Sequence, residues 1–231
     1  MATTAAPAEP LPKLYIYDHC PFCVRARMIF GLKGVEHELV FVANHDEHTP
    51  IGLVGSKQTP ILQLADGKAF PESLDIVRYV DEHFGGPVLL KEASGREDLK
   101  AWFASSAASM YPLTMPRIAQ APFAEFALRA SREYFTKKKE AMLGTSFKEL
   151  LAKTPEFVPG LNKSLEELEP LIHSEKSFNA DGVSYDDITL FGTLRAITLV
   201  KDVKWPPKVR AYLDHFSQVA DVPLLEAMAT V

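Results

Sequence analysis

The stretch Lys13–Gly34, KLYIYDHCPFCVRARMIFGLKG, constrains the fold more than any other part of the chain. A mostly apolar run, Leu14 to Tyr17, predicts a buried strand, and Asp18-His19 ends it. Cys20-Pro21-Phe22-Cys23 follows. Helical spacing comes next, with Val24, Ile29, Phe30 and Leu32 apolar and Arg25, Arg27 and Lys33 charged. Gly34 suits the end of that helix. This order puts a dithiol at a helix N-terminus, where unpaired backbone N–H groups favour negative charge. Cys20 is expected just outside the helix as the exposed sulfur. Its thiolate is expected to draw on the helix end and on Arg25, Arg27 or Lys57, and cysteines so placed have pKa values of about 3.5–7.5. Pro21 suits the first turn, because its missing N–H would be unsatisfied there anyway. Cys23, one turn on, is expected to be more buried and able to attack a mixed disulfide on Cys20.

Other uses of the pair fit less well. A structural disulfide would close a tiny loop and constrain the unfolded chain little. A zinc site needs two more ligands, and His45 and His48 are spaced more closely than in the usual finger pattern, with a strand between them and the cysteines. The expectation is therefore redox chemistry with no metal.

The chain has 231 residues, enough for one large or two modest domains, and is 47% hydrophobic. A net charge of −5 leaves no basic footprint for nucleic acid. The only two cysteines are those of the motif, which points to a reducing compartment, the cytoplasm. Residues 1–12, MATTAAPAEPLP, read as a flexible extension, lacking the apolar core of a signal peptide. No apolar run reaches membrane-spanning length, so no membrane partner is expected.

A first domain is expected over residues 13–84. Glu38–Ala43 predicts a second strand, parallel to the first because a helix connects them. Asn44–Thr49 reads as a solvated loop and Ile51–Gly55 as a short helix or turn. Ile61–Ala65 and Lys68–Phe70 read as strands joined by the turn Asp66-Gly67, and Leu74–Phe84 as a helix. Residues 85–96 read as a linker. From 97 to 231 the chain reads as all-helical, with helices over Glu97–Met110, Phe123–Leu143, Phe147–Lys153, Gly160–Ser174, Tyr185–Val200 and Pro207–Val219. Val183-Ser184-Tyr185-Asp186-Asp187-Ile188 predicts a capping box, in which Ser184 caps, Asp187 returns a hydrogen bond and Val183 packs on Ile188. The fold class is thus α/β followed by all-α.

KLYIYDHCPFC, KQTPILQ and PESLDIVRYVD, with the later LFGTLRAITLV and KWPPKVRAY, resemble the two-domain glutaredoxins from Lys13 almost to the C-terminus. The resemblance implies a thioredoxin-like domain followed by a helical domain, the architecture of glutathione transferases. It implies a glutathione-dependent oxidoreductase that reduces glutathione mixed disulfides and protein disulfides, with glutathione as co-substrate, and it implies a monomer. By position, Cys20 is the nucleophile and Cys23 the resolving thiol. Thr59 precedes a cis Pro60, and its backbone pairs with the cysteinyl part of glutathione. Glu72 and Ser73 match the γ-glutamyl clamp. Physically, Ser73 begins a helix whose N–H groups can hold a carboxylate, and Glu72 can accept from the ligand ammonium. Phe22 stands where many glutaredoxins carry Tyr. Thr59 stands where the family often has Val, with little effect expected because the backbone does the recognition. His19 is expected at the pocket rim or as a satisfied surface histidine. Tyr111 and Arg117 are candidates to complete a glutathione site in the groove between the domains. Two rival functions share the fold: a conjugating glutathione transferase, disfavoured by the paired cysteines, and a chloride-intracellular-channel-like protein, disfavoured by the Glu72-Ser73 clamp.

Overall fold

The structure is a computed structural model that describes residues 10–230, so most of the extension read over residues 1–12 lies outside the described residues. Four strands, β1 (Lys13–Ile16), β2 (Glu38–Phe41), β3 (Ile61–Gln63) and β4 (Ala69–Pro71), form one sheet in the order β2-β1-β3-β4. β2 runs parallel to β1, joined through α1 (Pro21–Leu32), while β3 is antiparallel to both β1 and β4. Between β3 and β4 the chain turns at Gly67, whose φ of 88° glycine adopts without penalty. α2 (His48–Val54) begins inside the segment read as loop, because Asp46 accepts the Thr49 N–H at 3.1 Å and its hydroxyl at 2.6 Å. α3 (Ser73–His83) closes the thioredoxin-like domain.

The connection over 85–96 is pinned on both sides. Asp81 in α3 accepts the N–H groups of Leu89 and Leu90 at 2.9 Å, and it pairs with the buried Lys33 ammonium at 3.2 Å. Lys91 then bridges to Ser184, and Ser94 donates its N–H to Asp186.

The rest is helical: α4 (Glu97–Gln120), α5 (Arg129–Leu143), α6 (Phe147–Ala152), α7 (Thr154–Leu168), α8 (Tyr185–Ile197) and α9 (Pro207–Val219). α4 does not stop near Met110 but runs on through Pro112 and Pro116. The turns around those prolines are held by Thr114 Oγ1 bonding the Met110 carbonyl at 2.9 Å and by Arg117 bonding the Leu113 carbonyl at 2.8 Å. The segment read as one helix from Phe123 breaks into a short 3-10 turn, Ala124–Phe126, and then α5. α7 starts at Thr154, six residues before the predicted Gly160.

α8 is the central helix of the second domain, with Ile188, Leu190, Phe191, Leu194 and Ile197 fully buried. It packs against α1 of the first domain. Gly192 makes this possible, since a Cβ there would stand 2.8 Å from the Pro21 carbonyl oxygen. The predicted capping box is present, but its centre is Asp187 rather than Ser184. The carboxylate accepts the Ser184 N–H at 2.8 Å, the Ser184 hydroxyl at 2.9 Å, the Phe178 N–H at 2.6 Å and the Tyr212 hydroxyl at 2.9 Å. Ser184→Ala should therefore lower the unfolding free energy by about 0.5–2 kcal/mol. Asp187→Ala, which strands several buried donors, should cost at least about 3 kcal/mol. Denaturant unfolding checks the order; equal losses would refute Asp187 as the centre.

Candidate active site

β1 ends in the core, and the chain leaves it at Asp18-His19 to reach Cys20. The Cys20 backbone is extended, at φ −79° and ψ 123°, and its carbonyl accepts the Val24 N–H at 2.9 Å, so Cys20 sits at the N-terminal end of α1 with Pro21 as the first helical residue. Cys20 is half-buried, and Cys23, one turn into the helix, is fully buried; both are free thiols. The Tyr17 N–H donates to Cys23 Sγ at 3.3 Å, and Thr59 Oγ1 lies 3.5 Å from the same sulfur.

The two sulfurs are driven in opposite directions. The Cys20 thiol is lowered from 9.0 to about 6, first by a hydrogen bond from the Cys23 thiol, then by charge on His19 and by the N–H groups of Cys23 and Phe22, against the opposing effect of burial. The Cys23 thiol is pushed well up, first by burial and then by Cys20. At neutral pH the first sulfur is a ready nucleophile and the second keeps its proton.

The predicted helpers of Cys20 divide. Arg25 lies in the same cavity lining as Cys20, its guanidinium 4.6 Å from the centre of the Phe22 ring. Arg27 instead pairs with Asp18 at 3.3 Å, and Lys57 places its ammonium 3.5 Å from the centre of the Tyr134 ring and from Glu47, so neither is bonded to the Cys20 sulfur. His19 is not a surface residue: only 8% is exposed, and the ring stacks on Phe126 at 5.0 Å. Its Nδ1 lies 2.7 Å from Glu125 Oε1, which also accepts the His19 backbone N–H at 3.0 Å. Glu125 is 1% exposed, and its Oε2 has no partner. Next to it, Arg195 of α8 reaches the Asp18 carboxylate at 2.9 Å and also bonds the Asp18 carbonyl. The second domain thus grips the two residues before Cys20 with one carboxylate and one guanidinium. The sequence reading missed Glu125, Arg195 and Lys139, which joins Cys20 in the cavity lining. None has a local motif to announce it.

The Thr59–Pro60 bond is cis. Thr59, Pro60, Glu72 and Ser73 line one hollow of about 200 Å³ with Phe22 and Gln58. Glu72 holds a φ of 75°, unusual for a residue with a Cβ, directly before the first turn of α3, where Ser73 is buried. This hollow is lined by residues of the first domain alone. A larger cavity of about 440 Å³ does lie between the domains, lined by His19, Cys20 and Tyr111 among others. Arg117 does not reach it, being buried against the Leu113 and Thr230 carbonyls and the Thr154 hydroxyl. The Thr59 side chain, expected to matter little, touches the Cys23 sulfur. His45 bonds Ser131 at 2.7 Å, and among the described residues no cluster of three or more His, Cys, Asp or Glu could hold a metal ion.

Comparison with known proteins agrees with this architecture. The family model "Glutaredoxin 2, C terminal domain" matches residues 98–229, and "Glutathione S-transferase, N-terminal domain" matches residues 19–83. Glutaredoxin 2 of Escherichia coli strain K12 is 42% identical over 217 residues, 94% of this chain and 99% of that protein. The chain belongs to the glutaredoxin 2 family. The crystal structure of glutaredoxin 2 from Salmonella typhimurium in complex with glutathione superposes with a TM-score of 0.90 at 42% identity, covering 96% of this chain and 100% of that one. A glutathione transferase from Phanerochaete chrysosporium shares the fold at a TM-score of 0.69 and 16% identity.

Thiolate absorbance should titrate with a midpoint near pH 6 in the reduced protein. Because the folded value is depressed, the Cys20 thiolate should stabilise the reduced protein relative to Cys20→Ser fully above about pH 9, an advantage lost as pH falls through about 6. Glu125→Gln keeps the shape of the side chain but removes the charge 2.7 Å from the His19 ring, and should displace the midpoint. An unchanged midpoint would show that Glu125 only holds the loop.

Proposed function

We propose that the chain uses glutathione to reduce protein–glutathione mixed disulfides and protein disulfides, with Cys20 as the nucleophile and Cys23 as the resolving thiol. The observation that carries this is the opposed ionisation of the two sulfurs, half-buried and lowered against buried and raised. Kinship to a glutaredoxin 2 seen with glutathione supports the choice of co-substrate.

The Cys20 thiolate attacks the glutathione sulfur of a mixed disulfide, and the substrate thiolate leaves with the electron pair. Glutathione thiolate then attacks the glutathionylated Cys20, giving glutathione disulfide and restoring the Cys20 thiolate. On a protein disulfide, Cys20 forms a mixed disulfide with one substrate sulfur, and Cys23 attacks Cys20 to release the reduced protein. Two molecules of glutathione then reduce the Cys20–Cys23 disulfide. Thr59 and Pro60 hold the cysteinyl part of glutathione, and Glu72 with Ser73 the γ-glutamyl end. Glu72 accepts from the ligand ammonium, and the N-terminus of α3 receives its carboxylate. On this reading the protein is a cytoplasmic monomer that carries electrons from glutathione to proteins, and a sequence with no cysteines beyond the CPFC pair suits a reducing compartment.

Cys20→Ser should abolish all activity, because a hydroxyl at neutral pH cannot replace the thiolate. Cys23→Ser should retain deglutathionylation of a mixed disulfide but lose most reduction of intramolecular protein disulfides. The reverse pattern would exchange the two roles. Equal loss in both would mean an obligatory dithiol route. Conjugation of an electrophile by Cys23→Ser without any disulfide reduction would replace this reading with that of a transferase.

A further inference from the structure

The cavity of about 440 Å³ between the domains has the size of a small-molecule site, and Cys20 is part of its wall. Its opposite walls come from α4, α5 and α8. They are largely apolar, with Phe103, Met110, Met115 and Phe135 facing in. Methionine adapts to ligands of different shape. Phe22 lines both this cavity and the smaller hollow of Thr59, Pro60, Glu72 and Ser73, so the two spaces adjoin.

Two cations interrupt the apolar wall, Arg25 and Lys139. Neither pairs with a carboxylate among the described residues. Arg25 Nε is buried without a hydrogen-bond partner, and its guanidinium lies over the Phe22 ring face at 4.6 Å. The Lys139 ammonium lies 5.8 Å from the centre of the Phe135 ring. A cation held in apolar surroundings without a counter-charge is costly unless an anion joins it. The Cys20 thiolate meets part of that need, since its charge acts on both. As Cys20 attacks a disulfide that charge passes to the leaving sulfur, and a carboxylate already bound at Arg25 and Lys139 keeps the two cations paired.

Resting on the glutathione-dependent reading above, we propose that this cavity receives the non-glutathione half of small mixed disulfides and selects apolar thiols that carry a carboxylate. Glutathione occupies the smaller hollow, the disulfide lies at Cys20, and the apolar chain extends among the methionines with its carboxylate at Arg25 and Lys139. The Cys20 thiolate attacks the glutathione sulfur, the bond to the second sulfur breaks, and that sulfur leaves with the electron pair and takes a proton from solvent. A second glutathione, as thiolate, attacks the glutathione sulfur on Cys20 and leaves as glutathione disulfide. The net change is one mixed disulfide and one glutathione converted to glutathione disulfide and the free thiol.

The test compares mixed disulfides of glutathione with mercaptohexanoate, with its uncharged amide and with mercaptoethanol, using the full chain. The amide keeps the chain length and leaves the reacting sulfur unchanged, so the ratio of kcat/KM for acid over amide reports the remote carboxylate alone. That ratio should be about tenfold, the low end for a hydrogen bond to a charged group. It should fall towards one in Lys139→Gln and in Arg25→Gln, and in the unsubstituted protein as salt is raised. Any general effect of these substitutions on the Cys20 thiolate cancels in the ratio. Should either variant fail to fold, the salt dependence still decides. Turnover of all three compounds with a ratio near one overturns the cavity assignment and leaves the glutathione-dependent reading intact. A tenfold ratio that survives both substitutions overturns the role of the two cations. No turnover of even the mercaptoethanol compound overturns the underlying reading itself.

Discussion

The interaction on which the site depends is the grip of the helical domain on Asp18 and His19. These two residues leave β1 and deliver Cys20 to the start of α1. Left alone, such a segment would be a surface loop. Here Arg195, 1% exposed, holds the Asp18 carboxylate, and Glu125, equally buried, holds the His19 ring and its N–H. Buried charges of this kind are weak evidence for stability, because desolvation offsets most of the attraction. They do fix a geometry: losing Asp18 would leave the buried Arg195 guanidinium without its carboxylate, and losing Glu125 would leave the buried His19 ring and N–H without their acceptor. The second domain therefore acts as part of the site, placing the nucleophile and not merely covering it.

A helix N-terminus can stabilise one thiolate, and the packing decides which of the two sulfurs receives the benefit. Cys23 is inside the first turn and in the core, where burial favours its protonated form. Its proton then serves Cys20 as a hydrogen bond. The same burial that disables Cys23 as a first nucleophile is what activates its neighbour. Pro21 fixes the backbone between them, and the close approach of α8 at Gly192 sets the depth to which α1 sinks.

What the sequence disclosed was local. The strand, the CPFC turn and helix α1, the Asp66-Gly67 hairpin and the Ser184 box involve residues within a few positions of each other, where periodicity and capping chemistry suffice. Helix ends inside the second domain were less legible. Proline usually marks a stop, yet α4 runs through Pro112 and Pro116 because side chains and tertiary packing hold those turns. The 3-10 turn at Ala124–Phe126 was hidden within an apparently continuous pattern, and Glu125 with it. Glu125 lies 106 positions from His19, and Arg195 lies 177 from Asp18. No spacing rule links residues so far apart. The family resemblance supplied Thr59, Pro60, Glu72 and Ser73 but not these, because they act through position and not through a motif.

Thr59 shows how the two kinds of information combine. Read as a backbone donor and acceptor for a ligand, its side chain is incidental, and a Val would serve. In the structure its hydroxyl lies 3.5 Å from the Cys23 sulfur and favours the thiolate there, against the stronger effect of burial. A hydroxyl at this point supports the moment when Cys23 must lose its proton and attack Cys20, the step that deglutathionylation of a mixed disulfide does not need. The same residue would then face a ligand with its backbone and the resolving thiol with its side chain. Thr59→Val, which removes the hydroxyl at nearly constant shape, should slow reduction of protein disulfides more than removal of glutathione from mixed disulfides. A uniform loss in both assays would return Thr59 to a role in ligand binding alone.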